Sequence, residues 1–592
     1  MLAGNIIFLF YYSHLNPLHV DEAGFWFNWT NKSILNRFYN DNVSLGMYPP
    51  FHGLTIYLAK ISIYIFGNTG IGLRLPVIIF GVFSSWLLYF FTKKITGRTE
   101  VAILAATFLF LNPFFSHYSH ELRGYSSLIF FSLCSYFYLF KLIKVVKNLS
   151  YWCFLFFSFL GCYLSNLACP IFFAVFLATI FILKSYKTFY PTKDKLIPLE
   201  NLTYSGLFVF SFIAASFFSY LLFVFDASYL RVMQDLSVLY QKAHGGQLSN
   251  LIAIPDFFSA FLGYKYLDDP ASEIYHYPTY IWLFSLICFL VGFIQSIRTK
   301  EFFAIFFFVI LVLTSFFYAF SGSHIYTRSA VFLMPFLIIY QAVGIFILVE
   351  FIISLFSDKE TVVKKIYWVL PGFIFLYFAL LHFGKYEKLD GSSDNPYELA
   401  RDYLKNNSGP NDLIISSVQD TTTGFYFGKM IRNKYKNIYK NEKINAIYFI
   451  DNNSLMDSIE LKDVLNKKQK VFNLRKFKIS SVFSSQSLVK TRIIIYKIKI
   501  LSNIKLELSN KEFFGAQFLN DAVCKKTINN QGMRLNCESN TFACSDQIIN
   551  FPAISKQHYQ IVFLKFNSDH GTNFLNLALL NHPKIMTRGN IY

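Results

Sequence analysis

The stretch from Tyr151 to Leu183 reads YWCFLFFSFLGCYLSNLACPIFFAVFLATIFIL and contains no Asp, Glu, Lys or Arg. Basic clusters lie on both sides of it, at Lys141-Lys144-Lys147 and at Lys184-Lys187-Lys193-Lys195, so both flanks are predicted to be cytoplasmic and the stretch must cross the membrane twice. Ser165-Asn166 and Pro170 interrupt the apolar run near its middle. The pattern therefore predicts two consecutive spans, near residues 151–165 and 169–183, joined by a short turn.

The rest of the chain has the composition of a polytopic membrane protein. Of the 592 residues, 54% are hydrophobic, 20% are aromatic and 15% are charged, and the mean hydropathy is +0.40. These values lie outside the range of soluble globular chains. Apolar runs recur from Ile6 to about Phe383. The first run has no basic segment and no small-residue cleavage site, so we interpret it as a retained span, or one truncated at its start.

Lysine and arginine residues lie in short clusters between the apolar runs, which is typical of the cytoplasmic loops of membrane proteins. Topology therefore explains the net charge of +19 better than a nucleic-acid partner does. The clusters predict a cytoplasmic N-terminus, an extracytoplasmic chain after Gly384, and a multi-pass protein of the inner or plasma membrane. They are Lys93-Lys94-Arg98, Lys141-Lys144-Lys147, Lys184-Lys187-Lys193-Lys195, Arg298-Lys300 and Lys359-Lys364-Lys365. About eleven spans are expected, near residues 3–18, 71–92, 100–113, 125–143, 151–165, 169–183, 203–225, 278–297, 302–320, 329–349 and 366–383.

Two of the predicted outer loops are large, from His19 to Gly70 and from Asp226 to Tyr277. The first contains Leu54 to Phe66, an apolar segment with Lys60 that suits a helix lying in the membrane interface. The second contains Leu251 to Phe261, a similar interfacial or lid-like candidate. A third outer loop is short and dense in polar residues, and it contains Asn112, His117, His120, Glu121, Arg123 and Tyr125.

The chain after Lys385 has the pattern of a water-soluble domain. Asn395-Pro396-Tyr397-Glu398 combines an N-cap, a proline at the first helical position and a capping-box Glu, and Gly409-Pro410 ends the predicted helix. Strand-like runs follow at Leu413–Ser417, Ala446–Ile450 and Arg492–Ile498, and later at Arg534–Cys537, Tyr559–Phe566 and Phe574–Leu579.

These patterns together predict an all-α polytopic membrane domain over residues 1–384. We expect a small extracytoplasmic α/β domain to follow over residues 385–500. A β-rich accessory domain is predicted over residues 501–592, and a small β-sandwich is our interpretation of it.

Four short motifs stand at the outer ends of the predicted spans. They are Asp21-Glu22, Tyr48-Pro49-Pro50, Leu73-Arg74-Leu75-Pro76 and Glu121-Leu122-Arg123-Gly124-Tyr125. In this order, the motifs resemble those of the integral-membrane glycosyltransferases of the GT-C superfamily, in the branch of the protein O-mannosyltransferases and the lipid A aminoarabinose transferase. The resemblance covers roughly residues 1–500. Arg328 falls where that branch often has an Arg-Tyr pair, and Ser329 replaces the Tyr here.

The resemblance implies transfer of a sugar from a polyprenyl-phosphate-linked donor to a protein, lipid or cell-surface glycan acceptor at the outer membrane face. An attacking hydroxyl or amine must lose a proton, so we assign Asp21 as the base and Glu22 as a residue that orients the acceptor or the base. The leaving phosphate needs positive charge, which Arg123 would provide first, with Lys60 and Arg328 as further candidates. His120, Glu121, Tyr125 and Tyr48 are additional substrate-site candidates.

Several alternatives remain open from the residues alone. Arg123 could be an interface anchor neutralised by Glu121, and Lys60 could extend from an amphipathic helix to the interface. His117 and His120, with Asp21 or Glu22, could bind a divalent metal ion; no other cofactor is indicated. For the whole chain, a transporter or lipid flippase, or a polymerase or ligase of lipid-linked polysaccharide, is the competing function. Charges at the outer ends of spans and a soluble outer domain favour the transferase over the transporter.

Overall fold

The computed structural model divides into two compact units, which are Met1–Ser13 with Pro49–Lys388 and His14–Tyr48 with Leu389–Tyr592. The structure describes residues 10, 22, 53–67, 69–144, 149–166, 169–189, 202–225, 258–264, 278–299, 301–320, 327–356, 395–410, 412–416, 425–427, 430, 446–453, 477–486, 492–500, 522–529, 532–539, 560–567 and 573–580.

The first unit is helical throughout its described residues. Its helices are α1 (Gly53–Phe66), α2 (Gly70–Thr96), α3 (Thr99–Leu111), α4 (Pro113–Tyr118), α5 (Tyr125–Lys144), α6 (Leu149–Ser165), α7 (Cys169–Phe189), α8 (Tyr204–Phe225), α9 (Thr279–Arg298), α10 (Phe302–Phe320) and α11 (Met334–Phe356), with a 3₁₀ helix at Thr327–Leu333. Nine of the eleven predicted spans coincide with these helices. The first and last, near residues 3–18 and 366–383, lie outside the described residues except for Phe10.

Among the residues that the structure describes, five helical segments are long and apolar enough to cross a membrane, which agrees with the predicted multi-pass architecture. They are Gly70–Thr96, Tyr125–Lys144, Cys169–Lys187, Thr279–Arg298 and Ala330–Ser354. Shorter apolar helices are Gly53–Phe66, Thr99–Leu111, Leu149–Ser165, Tyr204–Tyr220 and Phe302–Phe317. The long apolar stretch of residues 151–183 forms two helices, α6 and α7, as predicted from its interruption.

Proline 76 explains how α1 is attached to α2. Because Pro76 has no N–H, it cannot donate to the carbonyl of Gly72 one turn earlier in α2. The Ser62 hydroxyl of α1 donates a 2.6 Å hydrogen bond to that carbonyl instead. α2 itself begins at the N-cap Thr69, whose side chain accepts from the Gly72 amide, and ends at Gly97 with a φ of +71°.

The packing of α9 against α11 requires two glycines. A Cβ on Gly292 would collide with the Tyr340 carbonyl, and a Cβ on Gly344 would collide with the Cys288 carbonyl. The two backbones therefore approach more closely than side chains would allow, as is common where small residues face each other between membrane helices.

The second unit contains a helix and a mixed four-stranded sheet. α12 (Pro396–Asn407) begins at Asn395, whose side chain accepts from the Tyr397 amide. The strands are β1 (Leu413–Ser416), β2 (Ala446–Asn453), β3 (Phe477–Gln486) and β4 (Arg492–Ile500), in the order β1-β2-β4-β3. β1 and β2 are parallel, and the other pairs are antiparallel. The helix and the three strands predicted in this region are confirmed, whereas β3 was not predicted.

The described strands of the C-terminal region form two antiparallel pairs. They are β5 (Ala522–Asn529) with β6 (Gly532–Ser539), and β7 (Gln560–Asn567) with β8 (Asn573–Leu580). These pairs are separate two-stranded sheets, and the β-sandwich stays a prediction.

Candidate functional site

Asn112 organises the short loop that follows α3. Its side-chain oxygen accepts from the Phe115 amide at 3.2 Å and so caps α4, while its amide nitrogen donates to the Phe261 carbonyl at 2.8 Å. The ring of Phe261 packs edge-on against Phe114 at 5.2 Å. Residues 258–264 are thereby fixed to the start of α4. The remainder of the predicted lid-like segment Leu251–Phe261 lies outside the described residues.

A buried carboxylate forms the centre of a charged cluster in this loop. Glu121 Oε1 lies 2.8 Å from Arg123 Nε, and Glu121 Oε2 lies 3.3 Å from His117 Nε2. The side chains of Glu121 and Arg123 are only 7% and 10% exposed. Because burial of unpaired charges is costly, an ion pair is the form in which both can remain charged here.

His120 is a neutral acceptor within the same cluster. Burial, the neighbouring His117 and the Arg74 guanidinium lower the pKa of His120 to about 3. Its Nδ1 lies 2.7 Å from the Ser116 carbonyl oxygen, which can only accept. Nδ1 therefore carries the proton and Nε2 carries the lone pair.

Arg74 is the residue of this site that the sequence analysis did not assign. It lies in the second turn of α2, is 2% exposed, and acts electrostatically on His120. The Ser126 hydroxyl in the first turn of α5 donates to the Val77 carbonyl at 3.1 Å, which holds the start of α5 beside this part of α2. Arg74 and Arg123 place two buried guanidinium groups in this part of the structure, and guanidinium groups are well suited to bind an anionic ligand.

Aromatic rings line one side of the cluster. Tyr125 begins α5, is 6% exposed, and packs at 4.6 Å from the ring of Tyr118 in α4. The ring of Tyr118 in turn contacts Phe114 at 4.8 Å. The loop is therefore held by buried aromatic packing as well as by its charges.

The structure brings together three of the predicted site residues in one cluster: His120, Glu121 and Arg123, with Tyr125 at its edge. Lys60 lies half-buried in α1, and Arg328 lies half-buried in the 3₁₀ helix before α11. Glu22 is fully buried and belongs to the second unit. Asp21 and Tyr48 lie outside the described residues.

The open question of a metal ion concerns the same loop. Within the described part of the chain, no group of three or more His, Cys, Asp or Glu side chains is arranged to hold a metal ion. The Nδ1 atom of His120 faces a carbonyl oxygen. Asp21, which the sequence offered as a ligand, is not among the residues described.

Comparison with known protein families finds one match, over part of the chain. Residues 49–217 match the family model of the dolichyl-phosphate-mannose-protein mannosyltransferases. This match covers slightly under a third of the chain and includes every residue of the charged cluster. No curated protein matches the chain.

Solved structures of two proteins have low overall similarity to the chain. ArnT from Cupriavidus metallidurans is 11% identical in the apo state, with a TM-score of 0.44, and 10% identical when bound to undecaprenyl phosphate, with a TM-score of 0.45. Each comparison covers 84% of this chain and 97% of ArnT. The archaeal oligosaccharyltransferase AglB from Archaeoglobus fulgidus, in complex with an inhibitory peptide and a dolichol-phosphate, is 13% identical with a TM-score of 0.39, covering 74% of this chain and 66% of AglB. The family match over residues 49–217 confirms the resemblance predicted from the sequence for this part of the chain.

Proposed function

We propose that this protein transfers a sugar from a polyprenyl-phosphate-linked donor to a protein, lipid or glycan acceptor at the outer face of the membrane. The observation that carries the proposal is the coincidence of the family match with the buried charged cluster, since Arg74, Glu121 and Arg123 all lie within residues 49–217. The matched family is described by a dolichyl-phosphate-linked mannose donor, whose phosphate is an anion.

The roles of the residues follow from the charge changes during transfer. As the sugar leaves the donor, negative charge develops on the departing phosphate. We assign Arg123 and Arg74 to bind this phosphate, because a guanidinium group can donate two parallel hydrogen bonds to phosphate oxygens. Its positive charge stabilises the departing phosphate without a proton transfer. Lys60 and Arg328 are further candidates for the same task.

The acceptor side requires a base. We assign this role to Asp21, which would take the proton from the attacking hydroxyl or amine, and we assign Glu22 to the orientation of Asp21 or of the acceptor. His120 could accept a hydrogen bond from the acceptor through Nε2, because its low pKa keeps the imidazole neutral at physiological pH.

The proposal is tested by incubating the purified protein with radiolabelled polyprenyl-phosphate sugars and membrane extract, and by following the label into acceptor. We expect transfer with the wild type and none with Asp21→Asn, because an amide of the same shape cannot take up the proton. Asp41→Asn, the same chemical change in the same predicted outer loop, is the control and should retain transfer. Absence of transfer from every donor by the wild type would refute the function, and near-normal turnover of Asp21→Asn would refute the role of Asp21.

A further inference from the structure

We propose that the surface formed by α2 and α5 binds an anionic phospholipid. In this proposal, the acyl chains of the lipid lie along apolar residues of the two helices, and its phosphate lies among Lys93, Lys94, Lys141 and Lys144 at the ends of these helices. Arg74 lies near the opposite end of α2. The lipid site is therefore separate from the charged cluster, and the proposal stands or falls independently of the proposed function.

One face of α2 carries an exposed apolar stripe. Its residues are 40% to 49% exposed and recur at spacings of four, three and four residues; they are Ile79, Phe83, Trp86 and Phe90. Residues at these spacings lie on one face of a helix. At 1.5 Å per residue the stripe is about 16 Å long, which is about the depth of one leaflet of a bilayer. Lys93 and Lys94, both exposed, continue the same face one turn after Phe90.

The neighbouring helix α5 carries a matching stripe. The ring centroids of Phe83 and Phe130 are 6.4 Å apart, so the two stripes meet. The rings of Phe91 and Phe140 pack against Phe303 of α10, at 5.2 and 5.9 Å. The lysines that follow these two rings in α2 and α5 therefore lie at the same end of the helices. The α5 stripe consists of partly or fully exposed residues at spacings of four, three, four and three, which are Phe130, Cys134, Phe137, Lys141 and Lys144.

Aromatic rings support the lysines at the ends of the stripes. Three of the four ammonium groups lie over the ring four residues earlier in the same helix: Lys93 over Tyr89 at 5.9 Å, Lys141 over Phe137 at 5.6 Å and Lys144 over Phe140 at 4.3 Å. Within the part of the chain that the structure describes, no carboxylate forms an ion pair with any of the four lysines. Their positive charge is thus available to an anionic partner.

An anionic phospholipid matches both parts of this surface. Its acyl chains suit the apolar stripes, and its phosphate suits a group of lysines directly beyond them. A zwitterionic lipid has the same chains without the net negative charge. We therefore expect this surface to prefer phosphatidylglycerol over phosphatidylcholine with identical acyl chains by roughly three- to tenfold in relative association constant.

Trp86 provides a direct probe, because it lies within the α2 stripe. The purified protein is reconstituted in vesicles in which an increasing share of the lipid carries brominated acyl chains, which quench tryptophan fluorescence on contact. Brominated phosphatidylglycerol is compared with brominated phosphatidylcholine, and a Trp86→Phe variant allows the signal of the other tryptophans to be subtracted. We expect stronger quenching of Trp86 by phosphatidylglycerol, and we expect the double variant Lys94→Gln/Lys144→Gln to lose most of this preference. Arg401→Gln/Lys405→Gln, which removes two positive charges from α12, is the control and should keep it.

Two further measurements need no lysine variant, so they decide the question even if Lys94→Gln/Lys144→Gln fails to fold. Raising the salt from about 0.1 M to about 1 M should reduce the preference of the wild type at least twofold, because it shortens the Debye length from about 10 Å to about 3 Å. Soluble glycerol 3-phosphate should leave the quenching unchanged, because it has no acyl chains.

Several outcomes would overturn the proposal. Equal quenching of Trp86 by the two lipids in the wild type would mean that the stripes contact bulk lipid without regard to its headgroup. A folded Lys94→Gln/Lys144→Gln variant with the full preference, or a preference insensitive to salt, would contradict the role of the lysines. Complete competition by glycerol 3-phosphate would assign the lysines to a soluble phosphate instead of a lipid.

Discussion

The buried guanidinium groups of Arg74 and Arg123 are the most expensive side chains of the described site. Moving such a charge out of water costs several kcal/mol unless it is paired, and breaking a buried pair by removing one partner typically costs about 3–5 kcal/mol. Under the proposed function, these two buried guanidinium groups bind the donor phosphate.

The substitution Arg123→Ala tests the donor side at this scale. A lost charge-assisted contact is worth about 1.5–3 kcal/mol, so we expect donor affinity and turnover to fall together by roughly one to two decades. Arg123→Lys should recover only part of the loss, because a point charge cannot reproduce the guanidinium fork. The measurement is the rate of sugar transfer as a function of donor concentration, with equal amounts of each variant in the membrane. Arg98→Ala is the control, since Arg98 is half-exposed in its ion pair with Glu350. An unchanged donor KM and rate in the Arg123→Ala variant would contradict the assignment of Arg123 to the donor phosphate.

The depressed pKa of His120 gives a prediction for stability against pH. The unfolded chain takes up a proton near the ordinary pKa of 6.5, whereas the folded protein does so only near pH 3. Above pH 6.5 this difference in pKa does not change the free energy of unfolding. As the pH falls from 6.5 toward 3, it lowers the free energy of unfolding progressively. His120→Asn, whose amide can still donate to the Ser116 carbonyl, should unfold like the wild type at pH 7.5 but melt roughly 5 °C higher at pH 4.5. Thermal unfolding in detergent at the two pH values measures this, and equal melting temperatures at pH 4.5 would be the contrary result.

The proximity of most of these candidate residues could be predicted because they are neighbours along the chain. His120, Glu121, Arg123 and Tyr125 all lie within six consecutive residues, so a single short loop brings them together. Arg74 lies far from them in sequence, and only the folded contact between α2 and α5 places it near His120. The sequence did contain a signal for Arg74, because it places an arginine inside an apolar helix. A charged residue in such a helix is costly and is therefore a functional candidate by default.

The helices were predicted well because apolar length alone defines them. The nine helices that coincide with predicted spans need only a run of apolar residues between basic or polar breaks. β3 was missed because serine occupies four of the ten positions in its sequence, FKISSVFSSQ, and interrupts the Phe, Ile and Val residues that favour strands. Its place at the edge of the sheet is provided by pairing with β4, which no local pattern reveals.

The close crossing of α9 and α11 gives a prediction at the scale of elements. Gly344→Ala would drive its Cβ into the Cys288 carbonyl, and Gly292→Ala would do the same to the Tyr340 carbonyl. Neither obstacle is a flexible side chain, so the helices must separate and lose packing along the crossing. We expect each variant to unfold at least about 1–3 kcal/mol more easily, the usual cost of overpacking.

The measurement for these glycine variants is thermal unfolding of the detergent-purified protein. Val343→Ala serves as the control, because it makes a small change on the same helix without adding an atom to the crossing. A Gly344→Ala variant that melts with the wild type would show that the helices do not approach as closely as the structure indicates.

At the scale of the whole molecule, the long apolar helices agree with a multi-pass membrane protein. The charge pattern predicts the side of the membrane on which each loop lies. Basic clusters follow α2 and α5, with Lys93-Lys94 in the last turn of the former and Lys141 and Lys144 in the last turn of the latter. The positive-inside rule assigns these turns to the cytoplasm. We therefore predict that the loop from Asn112 to Gly124, which joins the end of α3 to the start of α5, lies on the outer side.

This topology predicts a definite pattern of labelling in intact cells. Single cysteines introduced after Lys385 should react with a membrane-impermeant maleimide from outside, whereas cysteines at Lys93, Lys144 and Lys193 should react only after lysis. The background must first be cleared of native cysteines, of which Cys153 is exposed. A cysteine at Ser119 would be a poor reporter, because that residue is fully buried.

The labelling result bears directly on the proposed function, since an error of one in the number of predicted spans would move residues 385–592 to the cytoplasm. Labelling of the C-terminal region only after lysis would therefore remove the support for transfer at the outer face, even if the charged cluster binds phosphate as proposed.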